Sequence, residues 1–478
     1  MTNKLIEIIE EKLDNDSLDE YGNYVIDKLL FGVLEIDINS DKYEIYLYDE
    51  TEYFLVEECW LAYLQIFEVS KNNEIIGYIG RENKMSCCGE EEFGELKEYV
   101  PKKNNHNSLG GEIMDNLELK TFNPLNISSK FAICGLPIRV DSYKTCSFGC
   151  KYCFSNNRKI MEFKDEIQVA NLKLFDYKLN KVFVKNKIKE QDLLENLLKN
   201  RVTLHWGGMS DPFQPCEKDL QITKQMIDIA NKYNLSALFS TKGDTVYGAN
   251  INPELHSFQL SVTNVNNLKK LEPNVPDIEK RIKFFKELKK EGFKVGIRIQ
   301  PFIPDISTLE IVKAFEGADH FTLEGIKIVP QNKEHKEFIL NELNLKKEDF
   351  KQMGLLTLQP EIRLDMYKDF IEYFEKNNIS YSIADNDLRY IGNNKCCCGD
   401  ALIKKDTNFN TTSMIKTYGK DYKIENIYKE MGEFSDCKCN QLFTSNRREG
   451  CITMKDFYDK RFERKTSPFS PKYQYIIE

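Results

Sequence analysis

From about residue 130 the chain alternates short apolar runs with amphipathic stretches of helical period. The runs AICGLPIRV (132–140), VTLHWGG (202–208), SALFST (236–241), SFQLSVT (257–263), KVGIRIQPFI (294–303) and HFTLEGIKIV (320–329) predict buried strands. Between the last strands, DIEKRIKFFKELKKEG places Ile278, Ile282, Phe285 and Leu288 on one face of a helix, and Gly292 falls where a helix C-terminus is expected. Strand, helix and strand in repetition imply parallel strands with right-handed crossovers. A complete eightfold barrel needs about 250 residues and eight units; six units are counted, which predicts an α/β fold built on a partial (β/α)6 TIM-type barrel over residues 129–390. A helix, PEIRLDMYKDFIEYFEKN, and a strand, ISYSIAD, close that domain.

The flanks read differently. Residues 1–128 open on an amphipathic helix and continue in aromatic strand-like runs, KYEIYLYDETEYFLV and EIIGYIG, which predicts an α+β region. The polar segment EYVPKKNNHNSLGGE reads as a linker or surface loop. Residues 391–478 show little periodicity and many cysteines, and are expected to form a small Cys-rich domain.

The formal net charge of −9 counts against a protein that wraps a phosphate backbone over a wide basic face. The N-terminus alternates apolar and acidic residues, so it is not a signal peptide, and no apolar run is long enough to cross a bilayer. The expected location is cytoplasmic, away from membranes. Fourteen cysteines in a reducing compartment then call for metal chemistry rather than disulfides. They group as 87–88, 146/150/153, 396–398 and 437/439/451, with Cys59, Cys134 and Cys216 alone.

The strongest motif is TCSFGCKYCFS, residues 145–155, a C-x3-C-x2-C spacing directly after the first barrel strand. Three thiolates on one loop leave one iron of a [4Fe–4S] cluster without a protein ligand, and the loop falls at the end of the barrel where active sites form. A zinc knuckle is the rival reading, and it lacks a fourth Cys or His within the loop. The arrangement resembles the radical S-adenosylmethionine (SAM) superfamily, in which an aromatic residue, here Tyr152, precedes the last cysteine. The resemblance implies a cluster on Cys146, Cys150 and Cys153, with SAM as cosubstrate and an electron donor such as flavodoxin or ferredoxin.

It further implies SAM-binding groups at successive strand ends. Gly207 and Gly208 in HWGGMSDP resemble the family's glycine motif, with Ser210 and Asp211 following where the usual acidic residue is absent. Lys242, Ser261 and Arg298 are the remaining candidates for the cofactor site; a solvated lysine, ordinary strand alternation and a structural ion pair are the respective bland readings. The segments GGMSDPFQPCEK, STKG and SVTNVNNLKKLEPNVPDIEKRIKFFKELKKEGFKVGIRIQPFIP look like the DNA-photolyase-like radical SAM proteins related to spore photoproduct lyase. That likeness places a nucleic-acid base or nucleotide first among substrates, with a peptide as the alternative. Cys216 is the candidate hydrogen-atom donor, and a buried inert thiol is the competing reading.

NNKCCCGD, DCKC and Cys451 form a second set. Adjacent cysteines do not comfortably share one ion, so Cys396 and Cys398 are expected to join Cys437 and Cys439 in a second Fe–S cluster or a zinc site. The tail from Arg447 to Lys472 interleaves basic and aromatic residues, which suits either single-stranded nucleic acid or packing on the protein itself. Two rivals to catalysis stand beside this reading: a zinc-containing nucleic-acid-binding module, and a cluster kept only as a redox sensor.

Overall fold

In the computed structural model the rows of side chains explain why the barrel runs look apolar throughout. The model describes the strands between residues 34 and 99, residues 120–426 apart from 129–132, 158–167, 189–191, 331, 354 and 408–409, and residues 451–463. The chain divides into two compact units, Met1–Glu118 and Leu119–Glu478.

The described part of the first unit is an antiparallel sheet of β1 (Leu34–Ile38), β2 (Asp41–Leu55), β3 (Trp60–Lys71), β4 (Glu74–Ser86), β5 (Glu91–Glu92) and β6 (Lys97–Tyr99). Both strand-like runs read from the sequence fall within it. The expected opening helix and the 98–112 linker lie largely outside the described residues.

In the second unit, after the two-residue β7 (Thr121–Phe122), an eight-stranded sheet is assembled from β8 (Leu125–Ile127), β9 (Ile138–Val140), β11 (Leu204–Trp206), β12 (Ala237–Thr241), β13 (His256–Ser261), β14 (Lys294–Phe302), β15 (His320–Gly325) and β19 (Tyr381–Ile383). Of the intervening strands, β10 is Val169–Ala170, while β16 (Lys327–Ile328), β17 (Phe350–Met353) and β18 (Leu355–Leu358) form a separate small sheet. The eight strands are hydrogen-bonded in chain order, all parallel except the β8–β9 pair. Among the described residues β8 and β19 remain its two edges, so the fold is α/β with an open, mostly parallel sheet.

Two expectations need correction. HFTLEGIKIV is not one strand: β15 stops at Gly325, and Lys327–Ile328 leaves to pair antiparallel with β18. A Cβ at Gly325 would lie 3.0 Å from the Tyr367 hydroxyl, so the close approach of that side chain suits glycine where the strand ends. The helix–strand repeat is also incomplete, because residues 242–255 join β12 to β13 without a helix.

Register resolves the sheet into two faces. Leu260, Ile297, Phe321 and Tyr381 are successive partners on one face. Helices cover it: α1 (Leu172–Phe183) brings Phe175 to Trp206, and α5 (Ile278–Lys290) brings Phe284 to Phe258. In chain order α2 is Leu193–Lys199, α3 Glu217–Leu220 and α4 Ile222–Lys232, while α6 is Glu310–Ala314, α7 Lys333–Glu342 and α8 Pro360–Lys376. Phe374 of α8 stacks on both Phe321 and Tyr381. The predicted stripe on α5 holds, with Ile278, Phe285 and Leu288 buried, and Gly292 takes the left-handed conformation just past its end.

The opposite face carries Ser261, Arg298, Thr322 and Ser382 in one row. It is polar, yet buried. Residues 396–402 lie under it at the strands' N-terminal ends, where Ser257 donates to the Leu402 carbonyl at 2.5 Å. Beyond α9 (Thr411–Tyr418), α10 (Met454–Glu463) buries Phe457 and Tyr458, so for these two aromatics the packing reading of the tail holds. Among the described residues no helix is long and apolar enough to cross a membrane.

Candidate active site

The loop carrying Cys146, Cys150 and Cys153 runs over the C-terminal ends of the strands and is fastened from two sides. Gln214 accepts from the Ser147 N–H at 2.6 Å and donates to the Thr145 carbonyl at 2.9 Å. From the other side, the Lys151 N–H donates to the Leu271 carbonyl at 2.8 Å and Asn274 Nδ2 to the Ser147 carbonyl at 3.0 Å. Gly149, at φ +63°, supplies the left-handed turn between the first two cysteines.

These thiols sit in low-dielectric surroundings. Burial pushes Cys150 up to about 12 even though Lys242 beside it favours the thiolate. Burial, reinforced by Asp211 and by Cys150, also holds Cys146 well above its ordinary value. Such thiols become thiolates when a metal supplies the compensating charge. Among the described residues only Cys396, Cys397 and Cys398 bring three such ligand atoms within 4.8 Å of one another. The three loop sulfurs do not all lie within that distance of one another. That suits a cubane, whose thiolates sit on separate irons.

Next to Cys150 lies a buried charge cluster. Lys242 Nζ donates to Glu272 Oε1 at 2.9 Å and lies 5.5 Å from the centre of the Tyr152 ring. The Tyr152 hydroxyl donates to Glu272 as well and lies 3.2 Å from Thr263 Oγ1. Burial alone would raise Glu272, but Lys242 and Arg281 overcome it and bring the carboxyl down to about 2. Lys242 is thus paired within the protein rather than left free for a carboxylate ligand. The Ser261 carbonyl joins the cluster, accepting from Lys242 at 3.4 Å and from Arg281.

Gly207 and Asp211 shape the end of β11. Gly207 has φ +88°, and a Cβ there would lie 2.5 Å from the Ser240 carbonyl, so only glycine fits. Gly208 packs on Arg139, where a Cβ would lie 3.1 Å from Cδ. Asp211 accepts from the Lys242 N–H at 2.6 Å and from Thr241 Oγ1 at 2.7 Å, tying the ends of β11 and β12 together. Ser210 is buried and its hydroxyl has no hydrogen-bond partner among the described residues.

Arg298 has an internal carboxylate, Glu324, which it shares with Lys327, and it donates to Gln259 Oε1 at 3.0 Å. The structural ion pair is therefore present. Cys216 is half-buried at the start of α3, and burial followed by the Glu217 charge pushes its thiol up to about 12. Cys437 and Cys439 lie outside the described residues, and Cys451 packs at the edge of the main core. The sulfurs of Cys396, Cys397 and Cys398 lie within 4.8 Å of one another, and a tight turn over 396–399 brings them to one side. Glu272 and Gln214 were not singled out as site residues from sequence, although both lie in the motifs that carry the family likeness.

No family model matches the chain. An uncharacterized protein of Methanocaldococcus jannaschii is 28% identical over 232 residues, covering 46% of this chain and 82% of that one. Spore photoproduct lyase complexed with a dinucleoside spore photoproduct is similar at 18% identity, covering 50% of this chain and 74% of that one, with a TM-score of 0.39. SuiB of Streptococcus suis bound to S-adenosylmethionine is similar at 12% identity, covering 54% and 52%, with a TM-score of 0.34.

Proposed function

We propose that this protein is a radical SAM enzyme whose partial barrel holds a [4Fe–4S] cluster on Cys146, Cys150 and Cys153. The observation that carries the reading is the loop itself: three cysteines, one buried and two half-buried, on a fastened segment at the C-terminal ends of parallel strands. When bound, the cluster and SAM supply reductive sulfonium cleavage and with it hydrogen abstraction from the substrate.

The chain's own residues prepare that site. Gln214 and Asn274 hold the loop in place, which keeps the three sulfurs at fixed separations. Gly207 lets the backbone after β11 pass close to β12. The unpartnered Ser210 hydroxyl is a donor for a polar ligand. Lys242, already neutralised by Glu272, braces Tyr152 beside the loop, a positioning role in place of direct carboxylate binding. Cys216, held as a protonated thiol, is in the right state to give a hydrogen atom. The motif resemblance puts a nucleic-acid base or nucleotide first as substrate.

The test is anaerobic reconstitution with iron and sulfide, followed by dithionite and SAM. Formation of 5′-deoxyadenosine by the wild-type chain, and its loss in Cys150→Ala, is the expected result. An intact cluster that yields none sinks the proposal.

A further inference from the structure

At the other end of the strands, Cys396, Cys397 and Cys398 occupy a turn folded back under the polar face of the sheet. The Gly399 N–H donates to the Cys396 carbonyl at 3.0 Å, and the Cys396 N–H donates to Asp400 Oδ1 at 3.0 Å. In an extended strand successive side chains point to opposite faces; the turn instead gathers all three sulfurs within 4.8 Å of one another. The turn is held by its carbonyls, with Thr322 Oγ1 donating to Cys397 at 2.8 Å and Ser382 Oγ to Cys396 at 3.4 Å. Gly399 has φ +91°, and a Cβ there would fall 2.4 Å from His320 Cγ, so the backbone is pressed against β15. Cys134, Leu136, Leu238, Ala384 and Leu402 complete an apolar enclosure around the thiols.

Charge supplies an independent observation. Arg389 is 4% exposed and donates only to the carbonyls of Ala384 and Ile133, at 3.2 and 3.5 Å, forming no ion pair with a carboxylate among the described residues. Glu324, the carboxylate that acts on Arg389 from a distance, is already paired with both Arg298 and Lys327. Lys416 likewise donates to the Asn394 carbonyl at 2.5 Å without a carboxylate partner among the described residues. A buried permanent cation requires a nearby anion. Three neutral thiols do not provide one, whereas a tris-thiolate complex of a monovalent or divalent ion remains anionic.

We propose that Cys396, Cys397 and Cys398 together bind one thiophilic metal ion, zinc(II) or copper(I), beneath the sheet and separate from the loop cluster. Each thiol gives up its proton to solvent as the metal–sulfur bond forms. The sulfurs are too close together for a cubane spread over several irons, which replaces the auxiliary cluster expected with Cys437 and Cys439. The site lies at the N-terminal ends of the strands, the end associated with stability rather than turnover. Zinc favours four ligands, and Cys134 lies in the same enclosure, with a Cβ at neighbouring Gly135 falling 3.3 Å from Cys396 Sγ. Cys134, whose thiol donates to the Leu136 carbonyl at 3.4 Å, would have to turn from that carbonyl to complete a fourth position for zinc, and copper(I) needs no fourth.

The test uses the full chain with Cys146, Cys150 and Cys153 replaced by alanine, prepared metal-free under reductant. It is titrated with zinc(II), with copper(I), and with cobalt(II) as an optical probe. Uptake of one equivalent, with a thiolate-to-cobalt charge-transfer band that disappears in Cys397→Ser, supports the site. Cys134→Ser then assigns the ligand set: loss of zinc uptake alone marks Cys134 as the fourth ligand of zinc with copper(I) held by three, and full retention of zinc reduces the ligand set to the trio. Equal uptake with and without Cys397, in chains whose circular dichroism shows them folded, overturns it. Should the triple variant not fold, zinc and copper content of wild-type and Cys397→Ser chains carrying their iron decides in the same way, because iron reports the loop independently.

Discussion

Two of the cysteine groups of this chain sit at opposite ends of the same parallel strands and differ in nearly every physical respect. Cys146, Cys150 and Cys153 are spread along a loop braced by side chains from two directions, next to the Lys242–Glu272–Tyr152 cluster. Cys396, Cys397 and Cys398 are packed into one turn, enclosed by apolar side chains and accompanied by a buried arginine that donates to backbone carbonyls. Spread thiolates with polar groups alongside suit a cluster that must meet a ligand. Gathered thiolates in a dry enclosure suit a single ion that never meets one. Spacing and surroundings, rather than the number of cysteines, separate catalytic from structural metal chemistry.

The comparison breaks most visibly through the ligands. Cys150→Ser is expected to bring loop-bound iron and 5′-deoxyadenosine formation to background while zinc or copper content stays unchanged. Cys397→Ser is expected to do the reverse. Elemental analysis of both variants checks the pair, and simultaneous loss of both metals would show that the ends are not independent.

Next in size is Glu272→Gln, which leaves Lys242 buried beside the loop without its carboxylate. Removing one partner of a buried ion pair costs about 3–5 kcal/mol, so the urea midpoint should fall markedly. Adding Lys242→Met should recover much of the loss, because no unpaired charge then remains. Gly207→Ala is a smaller strain on the same end. Its left-handed backbone alone costs a side-chain-bearing residue about 1–2 kcal/mol, and the contact with the Ser240 carbonyl adds to this.

Acid should separate the two ends with the gentlest effect. Burial lowers His256, at the start of β13, to about 4, so between pH 6.5 and 4 the unfolded chain binds the proton more readily than the folded one. Stability therefore falls as pH drops through that window, by at most about 1.4 kcal/mol per pH unit for one histidine. Glu272, held at about 2, stays ionised throughout the same window and loses its contribution only as pH falls from about 4.5 towards 2. Denaturant melts of wild type and His256→Gln at pH 7 and 5 read the difference: the variant should be the less pH-sensitive of the two.

Much of this architecture was legible from periodicity. All six apolar runs and ISYSIAD contribute a strand to the large sheet, and the stripe on α5 faces the core as expected. The alternation hidden in those runs was harder to see, because the polar face is also buried: Ser257, Gln259 and Thr322 are drawn from water by the segment packed beneath them. The missing helix in 242–255 and the break after Gly325 escaped notice for a related reason, since both depend on what packs against the chain. For the site, Cys146, Cys150 and Cys153 could be named from spacing alone, whereas the partners of Lys242 and Arg298 could not. Glu272 and Glu324 come from distant parts of the chain, 30 and 26 residues away.

Local order along the chain determined which residues form strands and which loop carries the cluster motif, because hydrophobic period and cysteine spacing are properties of neighbours in sequence. Only the tertiary structure decided which charges are already neutralised and that three consecutive cysteines converge. Those outcomes depend on burial and on groups brought together across long stretches of chain, where removal from water makes each partner's identity matter.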